Sequence, residues 1–199
     1  MNATDRSAPR RASIGARRHP AWQAAILAAA RAVLAEEGYA GFSIDAVSRR
    51  AGAGKPTIYR WWKNKAELLI EVYAAEKAMV KAAATGSLAD DLALYTAALW
   101  DFWRDTPSGR TFRALVAEAQ NDASALAALR DKFLPERLCD VRALFAAAVA
   151  RGEIGLDEVE MRLGLYVGFN WYYVLTDQLD AGRAAIPAAM RLVAAPLPG

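Results

Sequence analysis

Apolar residues recur along most of this chain at the three-to-four-residue spacing of helices that bury one face. Residues 21–37 form the first such stretch, whose apolar face comprises Trp22, Ile26, Ala30, Val33 and Leu34. Gly38 follows as a helix stop. Alanine, the strongest helix former, is the commonest residue, and no stretch shows the sustained alternation of a half-buried strand. The pattern predicts an all-α fold.

Capping and turn residues predict where the other helices begin and end. Ser43 is placed to cap a short helix that runs to Ala51, and Gly52 allows a sharp turn before a helix over 55–61. Asn64 and Glu67 have the spacing of a capping box, at the start of a long helix over 65–84. Beyond Gly86, helices are predicted at 88–105, 108–121, 123–133, 135–151, 157–179 and 182–194.

Charge is distributed unevenly along the chain. Residues 1–65 carry 12 basic and 4 acidic side chains, a net charge of +8, whereas the remainder carries 13 and 18, a net charge of −5. A basic N-terminal third indicates that one end of the protein meets a polyanion. Residues 1–20 combine several arginines with almost no large apolar residue, which predicts a disordered basic arm.

Other bulk features exclude several classes of protein. The longest strongly apolar run, 163–175, is interrupted by Asn170 and falls short of the roughly 20 residues that span a bilayer. The arm lacks the apolar centre of a secretory signal, so we expect a cytoplasmic protein. Cys139 is the only cysteine, which rules out an intramolecular disulfide.

Residues 43–65 have the layout of a helix-turn-helix: a capped amphipathic helix, a small-residue turn, and a short helix rich in polar, basic and aromatic groups. Ile44, Val47 and Ile58 are placed to bury against the first helix. The outward-facing side chains of the second short helix are then Lys55, Thr57, Tyr59 and Arg60. Such an arrangement predicts DNA binding.

Residues 26–73 resemble the DNA-binding domain of the TetR family of transcription regulators. The residues that carry the resemblance are Gly38, Tyr39, Phe42, Ser43, Val47, Ala51, Gly52, the run from Lys55 to Tyr59, Lys65, Glu67, Leu68 and Leu69. The resemblance implies that Lys55, Thr57 and Tyr59 touch bases and phosphates, and that Lys65 binds a phosphate. For Ser43, phosphate contact and simple capping stay open, as do contact and plain solvation for Arg60.

The chain departs from the family pattern at two positions near residues 55–61, which correspond to the recognition helix of the family. Gly54 stands where the family often has Ser or Thr, so a side-chain cap is missing. Trp61 replaces a His, Tyr or Arg, which puts a DNA contact there in doubt. Trp62 occupies a core aromatic position, where we expect packing against the fourth helix rather than contact with DNA.

The C-terminal half is expected to sense a ligand and to dimerise. Residues 157–179 are apolar on nearly all sides, which predicts burial of both faces and resembles the penultimate helix of the family's dimer interface. An aromatic cavity with a few polar groups is predicted from Trp100, Trp103, Phe112, Gln120, Asn170 and Trp171, with an ordinary filled core as the alternative. The expected effector is small and apolar or aromatic.

Together these features predict a ligand-responsive repressor that binds a palindromic operator as a homodimer. Its predicted parts are the arm over 1–20, a DNA-binding domain over 21–67, and a sensing and dimerisation domain over 68–199. An architectural DNA-binding protein without an effector is the alternative. An enzyme is not expected, nor is a cofactor or metal, because the only histidine, His19, lies in the arm and no phosphate-binding glycine loop is present.

Overall fold

A computed structural model describes residues 20–77, 80 and 84–197 of the protein, and this part of the chain forms helices without strands. The all-α prediction is therefore confirmed. The disordered arm predicted over residues 1–20 lies outside the described residues, apart from Pro20. The α-helices are α1 (Pro20–Gly41), α2 (Ile44–Ala51), α3 (Lys55–Trp61), α4 (Lys65–Lys77), α5 (Leu88–Asp105), α6 (Ser108–Asn121), α7 (Ala123–Ala128), α8 (Leu134–Arg151), α9 (Val159–Leu175), α10 (Leu179–Gly182) and α11 (Ile186–Ala194).

Local capping chemistry sets the helix ends over residues 38–67. The Ser43 hydroxyl accepts a hydrogen bond of 3.1 Å from the Ala46 N–H at the start of α2. Gly38 interrupts the helical backbone of α1, and Gly52 ends α2; both adopt a positive φ, 66° and 62°. These turns bring α2 and α3 back against α1.

The start of α4 confirms the predicted capping box in modified form. The Asn64 Oδ1 accepts from the Glu67 N–H at 2.9 Å. Glu67 reaches back to accept from the Lys63 N–H at 2.8 Å, one residue before the N-cap. Two N–H groups that the helix leaves unpaired are thereby satisfied, which fixes the first turn of α4 beside α3. The predicted C-terminal end of this helix, near residue 84, lies in a stretch of which only part is described.

Two apolar cores are arranged along the chain, and α4 contributes to both. Leu68, Leu69 and Val72 pack with α1, α2 and α3. Ile70 and Tyr73 belong instead to the larger core of α5–α11. Trp22 was predicted on the buried face of α1 but is 49% exposed, because the packed stripe begins one turn later at Ile26.

The C-terminal helices differ in their bounds from the prediction. α9 ends at Leu175, where Asp177 takes a positive φ of 57° and the Gln178 N–H donates to the Tyr173 carbonyl at 2.8 Å. The predicted helix over 123–133 is α7 followed by a π-helical turn, Leu129–Phe133, which leads directly into α8. Pro135 lies in the first turn of α8, where its missing N–H leaves no bond unmade.

Candidate functional site

The helix-turn-helix presents one face of α3 to solvent. Ile58 and Trp61 are buried on its inner side, whereas Lys55, Tyr59 and Arg60 are exposed, and Tyr59 is 51% exposed. Thr57 is half-buried between these two sides. The predicted inward position of Ile58 and the predicted outward positions of Lys55, Tyr59 and Arg60 are therefore confirmed. Thr57 is only partly outward, and contact of these side chains with DNA stays a prediction.

Exposed cations surround this face. Arg49 and Arg50 lie in the last turn of α2, Arg60 lies in the last turn of α3, and Lys63 follows that helix. The Arg50 Nη2 donates to Glu36 at 2.6 Å, and this hydrogen bonding lowers the pKa of that carboxyl. Lys55 pairs with Asp45 at 2.7 Å, with both side chains about half exposed. An exposed pair of this kind is weak, so a phosphate can replace the carboxylate.

Ser43 stands at the N-terminus of α2 as its cap. Its oxygen accepts from the Ala46 N–H, which confirms the capping interpretation. The hydroxyl proton remains a donor of its own, since a serine both donates and accepts. Capping and a phosphate contact are therefore compatible, and the second of them remains a prediction.

Lys65 connects the helix-turn-helix to the C-terminal half. Its Nζ lies 3.3 Å from a carboxylate oxygen of Glu118 on α6 and 4.0 Å from the ring centroid of Tyr39 on α1. The Tyr39 hydroxyl donates to the same carboxylate, and burial together with that bond raises the pKa of Tyr39. A lysine that the family resemblance implies as a phosphate ligand thus already has an acidic partner.

Further polar contacts join the same two parts of the protein. The Asn64 amide donates to the Ser124 hydroxyl at 3.0 Å, and Lys132 forms an ion pair with Glu67. Burial acts to raise the pKa of Glu67, but the hydrogen bonds from Lys132 and from the Lys63 backbone outweigh it and hold that pKa below its usual value. Tertiary proximity alone creates these contacts, and no local sequence signal points to them.

A cavity of about 40 Å³ lies within the core of the C-terminal half. This volume accommodates only a few water molecules. Trp103, Phe112, Asn170 and Trp171 line it, as four of the six predicted ligand-binding residues. The sequence reasoning missed the other lining residues that matter most chemically, which are Tyr73, Phe133, Arg137 and Tyr166.

Two of the predicted ligand-binding residues do not line the cavity. The Trp100 ring packs between Phe169 and Tyr173, and its indole N–H donates to the Asn170 Oδ1 at 2.7 Å. Gln120 is exposed near the C-terminal end of α6, where its amide reaches the Val116 carbonyl at 3.5 Å. Trp100 therefore lies behind the lining and orients Asn170 through this hydrogen bond. A role for Gln120 in ligand binding stays a prediction.

One face of α9 is packed, and the opposite face is open to solvent. Leu163, Tyr166 and Val174 are buried in the core. Leu165 and Tyr172 are 55% and 57% exposed, and Leu192 of the neighbouring α11 is 77% exposed. A Cβ added at Gly164 or Gly168 would meet nothing within 4 Å. The predicted burial of both faces is thus not achieved within a single chain.

Two classes of feature are absent from the described residues. No helix among them is long and apolar enough to cross a membrane. Nor do three or more histidine, cysteine, aspartate or glutamate side chains come together there in a group suited to a metal ion.

Comparison with known proteins identifies both parts of the chain. The model for bacterial regulatory proteins of the tetR family matches residues 26–72, and the model for the tetracyclin repressor-like C-terminal domain matches residues 82–193. The DNA-binding transcriptional repressor TetR of Mycobacteroides abscessus is 35% identical over 136 residues, which cover 67% of this chain and 71% of that protein. The regulator YdeS of Bacillus subtilis, of the HTH type, is 27% identical over 153 residues, 76% of this chain and 77% of its own length.

Solved structures agree with the sequence relatives. The crystal structure of the TetR family transcription regulator SCO0332 superposes with a TM-score of 0.73 at 26% identity, covering 89% of this chain and 99% of that one. GusR of Salmonella enterica shares the fold, with a TM-score of 0.65 at 20% identity over 89% of this chain and 95% of its own. That family consists of transcription regulators and not of enzymes. The chain belongs to the TetR family of DNA-binding transcriptional regulators.

Proposed function

We propose that this regulator is a repressor that binds a palindromic operator as a homodimer and releases it when a small molecule enters the cavity. The observation that carries the proposal is the position of α4. The helix begins at Lys65, directly after the recognition helix α3, and about two turns later its Tyr73 lines the cavity. A change in the cavity therefore acts on a helix whose first residue is predicted to bind DNA.

The exposed face of α9 and α11 supports the homodimer. Large apolar side chains of both helices are exposed there, and the open space at Gly164 and Gly168 permits close helix approach. Two copies that meet through this face are related by a two-fold axis, and each contributes one recognition helix. Two-fold symmetry in the protein calls for two-fold symmetry in the operator, which is the basis of the palindrome.

Release of DNA follows from differential binding of the effector. The cavity is small, so a ligand larger than a few waters requires α4, α6 or α8 to shift. α6 is tied to α1 by the Tyr39–Glu118 hydrogen bond and to the first residue of α4 by the Lys65–Glu118 ion pair, and α7 is tied to the turn before α4 by the Asn64–Ser124 contact. A tenfold loss of operator affinity needs only about 1.4 kcal/mol of preference for the shifted state.

The proposed division of labour places DNA binding in residues 21–67 and sensing with dimerisation in residues 68–199. The basic arm over 1–20 adds phosphate contacts in this proposal, and the protein acts in the cytoplasm, where its DNA lies. Support for the division comes from the two apolar cores. Its boundary falls inside α4, whose side chains serve both cores, so the domains are mechanically joined rather than separated by a linker.

Selection of bound sequences from a random DNA pool tests the proposal. We expect one enriched motif with two inverted half-sites, bound by two copies of the chain. A library of small molecules is then screened for compounds that release that operator, and release is measured by fluorescence anisotropy. An asymmetric single site bound by a monomer would contradict the dimeric repressor, and a screen without any releasing compound would contradict the sensing role.

An architectural DNA-binding protein without an effector is the second candidate. The small volume of the cavity favours this alternative, because the core of a protein that binds no ligand is expected to be nearly filled in the same way. Under this alternative, the pool yields no enriched motif, and unrelated duplexes bind with similar affinity at fixed salt. The same selection experiment therefore separates the two functions.

A further inference from the structure

The cavity lining of the C-terminal half contains a single formally charged side chain, among the residues that the structure describes. This side chain is Arg137, on the first turn of α8. Its guanidinium carbon lies 5.9 Å from the ring centroid of Tyr73 and 6.0 Å from that of Phe133. Both distances are at the outer limit of cation–π attraction, about 6 Å. The two rings thus flank the cation at the wall of the cavity.

The acidic groups near Arg137 lie outside the lining. Glu136 is 3.5 Å from the guanidinium, but its own side chain is 62% exposed, whereas that of Arg137 is only 18% exposed. Asp140, one turn further along α8, accepts a hydrogen bond from Tyr95 at 3.3 Å and does not line the cavity. An exposed carboxylate contributes little to an ion pair, so a desolvated anion inside the cavity competes with Glu136 on favourable terms.

The remaining polar side chains of the lining are neutral, and Asn170, Trp103 and Tyr73 have hydrogen-bond partners. Burial raises the pKa of Tyr95 and of Tyr166, so both phenols keep their protons. Asn170 accepts from Trp100 and donates to the Tyr166 carbonyl, and the Trp103 indole donates to the Tyr73 hydroxyl at 2.6 Å. The lining therefore presents aromatic walls and one net positive charge.

We propose that the effector is an organic carboxylate with an aromatic or short alkyl body, whose carboxylate group binds the guanidinium of Arg137. The inference rests on the proposed sensing function and specifies its ligand. A planar guanidinium offers two parallel N–H donors that match the two oxygens of a carboxylate. The apolar body packs against Phe112, Phe133 and Trp171; the Phe112 ring centroid lies 5.8 Å from that of Phe133 and 5.5 Å from that of Trp171, so binding requires the helix shift described above.

Matched pairs of carboxylates and amides test the charge requirement on the full-length chain. The probes are benzoate, phenylacetate and 4-phenylbutyrate, each compared with the amide of the same carbon skeleton. Binding is measured by calorimetry and by tryptophan fluorescence, since Trp103 and Trp171 line the cavity. We expect at least one carboxylate to bind at least tenfold more tightly than its amide, a difference of about 1.4 kcal/mol.

Variants then assign the preference to Arg137. Arg137→Gln should remove the tenfold preference, because burying a carboxylate without the cation costs more than burying the neutral amide. Arg137→Lys keeps the charge but not the planar fork, so it should retain only part of the preference. Arg142→Gln is the matched control, because Arg142 is on the same helix, exposed, and paired with Glu160 away from the cavity. It should bind the carboxylates as the unaltered chain does.

The outcomes of these experiments test the proposed binding of a carboxylate by Arg137 separately from the proposed sensing function. Equal binding of amides and carboxylates overturns it, as does a preference that survives in Arg137→Gln. If that variant does not fold, the comparison on the unaltered chain and on Arg137→Lys decides. If none of these compounds binds at millimolar concentration, the inference is overturned as well. The operator-release screen still judges the sensing function by itself, because neutral compounds that release DNA would support sensing without the anion.

Discussion

Glu118→Gln should strengthen operator binding although Glu118 is not predicted to touch DNA. The Lys65 Nζ is 3.3 Å from the Glu118 carboxylate, so a phosphate must compete with this carboxylate for the lysine. Glutamine keeps the size of the side chain and still accepts a hydrogen bond from Tyr39. The substitution therefore removes the competing charge with little change in packing.

The expected magnitude follows from the exposure of the pair. The side chains of Lys65 and Glu118 are 26% and 32% exposed, so the attraction is that of a partly solvated ion pair. Such pairs contribute about 0.2 to 1 kcal/mol, which corresponds to an increase in operator affinity of about 1.4-fold to about fivefold. The gain should shrink as salt concentration rises, because salt screens both the ion pair and the phosphate contact.

A double-mutant cycle with Lys65→Ala isolates this effect. Operator affinity is measured by fluorescence anisotropy for the unaltered chain, both single variants and the double variant. Lys65→Ala alone should weaken binding and flatten the salt dependence by about one unit of log–log slope. In its background, Glu118→Gln should have almost no effect. Glu160→Gln serves as the control for net charge, because Glu160 is exposed and pairs with Arg142 instead.

The competition between carboxylate and phosphate is refuted by either of two results. Unchanged or weaker operator binding in Glu118→Gln is the first. The second is an equal gain with and without Lys65, which would mean that Glu118 repels DNA from a distance and does not act through the lysine.

Three further predictions concern the recognition helix, the core and the dimer face. Lys55→Ala and Tyr59→Phe should each reduce operator affinity, by about 1 to 3 kcal/mol where a base contact is lost, without lowering the melting temperature, because both side chains are exposed. Unchanged operator affinity in both variants would contradict the predicted contact between α3 and DNA. Trp62→Ala should lower the free energy of unfolding by about 3 to 5 kcal/mol in chemical denaturation, since Trp62 is 2% exposed. Trp62→Phe should lower it much less, because the buried indole nitrogen has no hydrogen-bond partner among the described residues, and equal losses would contradict this reasoning. Leu165→Asp should convert the dimer to monomers in sedimentation while leaving helicity by circular dichroism unchanged, and a dimer that persists would place the interface elsewhere.

Local signals in the sequence predict the DNA-binding helices well. The cap at Ser43, the turn at Gly52 and the box formed by Asn64 and Glu67 each involve residues within a few positions of one another. Their geometry follows from short-range hydrogen bonding and from the permissive backbone of glycine. The predicted end of α9, residue 179, is four residues too late, because no glycine marks the end and Asp177 adopts the left-handed conformation instead.

Contacts between distant segments escaped prediction. Tyr39 and Glu118 are 79 residues apart and meet only after the two cores assemble. The same limit applies to the cavity. Trp100 and Trp103 are three positions apart on α5, so their side chains differ by about 60° around the helix axis. As a result, the Trp103 ring lines the cavity, whereas the Trp100 ring lies behind Asn170.

The ratio of operator affinity to affinity for an unrelated duplex, at one fixed salt concentration, tests the central claim most directly. The selected palindrome and a scrambled duplex of equal length and base composition are titrated with the full-length chain in parallel, and the number of bound chains is counted by native mass spectrometry. A sequence-specific dimeric regulator should bind two chains on the palindrome, with a ratio of about a thousand or more. A ratio near one, or one chain on the palindrome, would contradict the account.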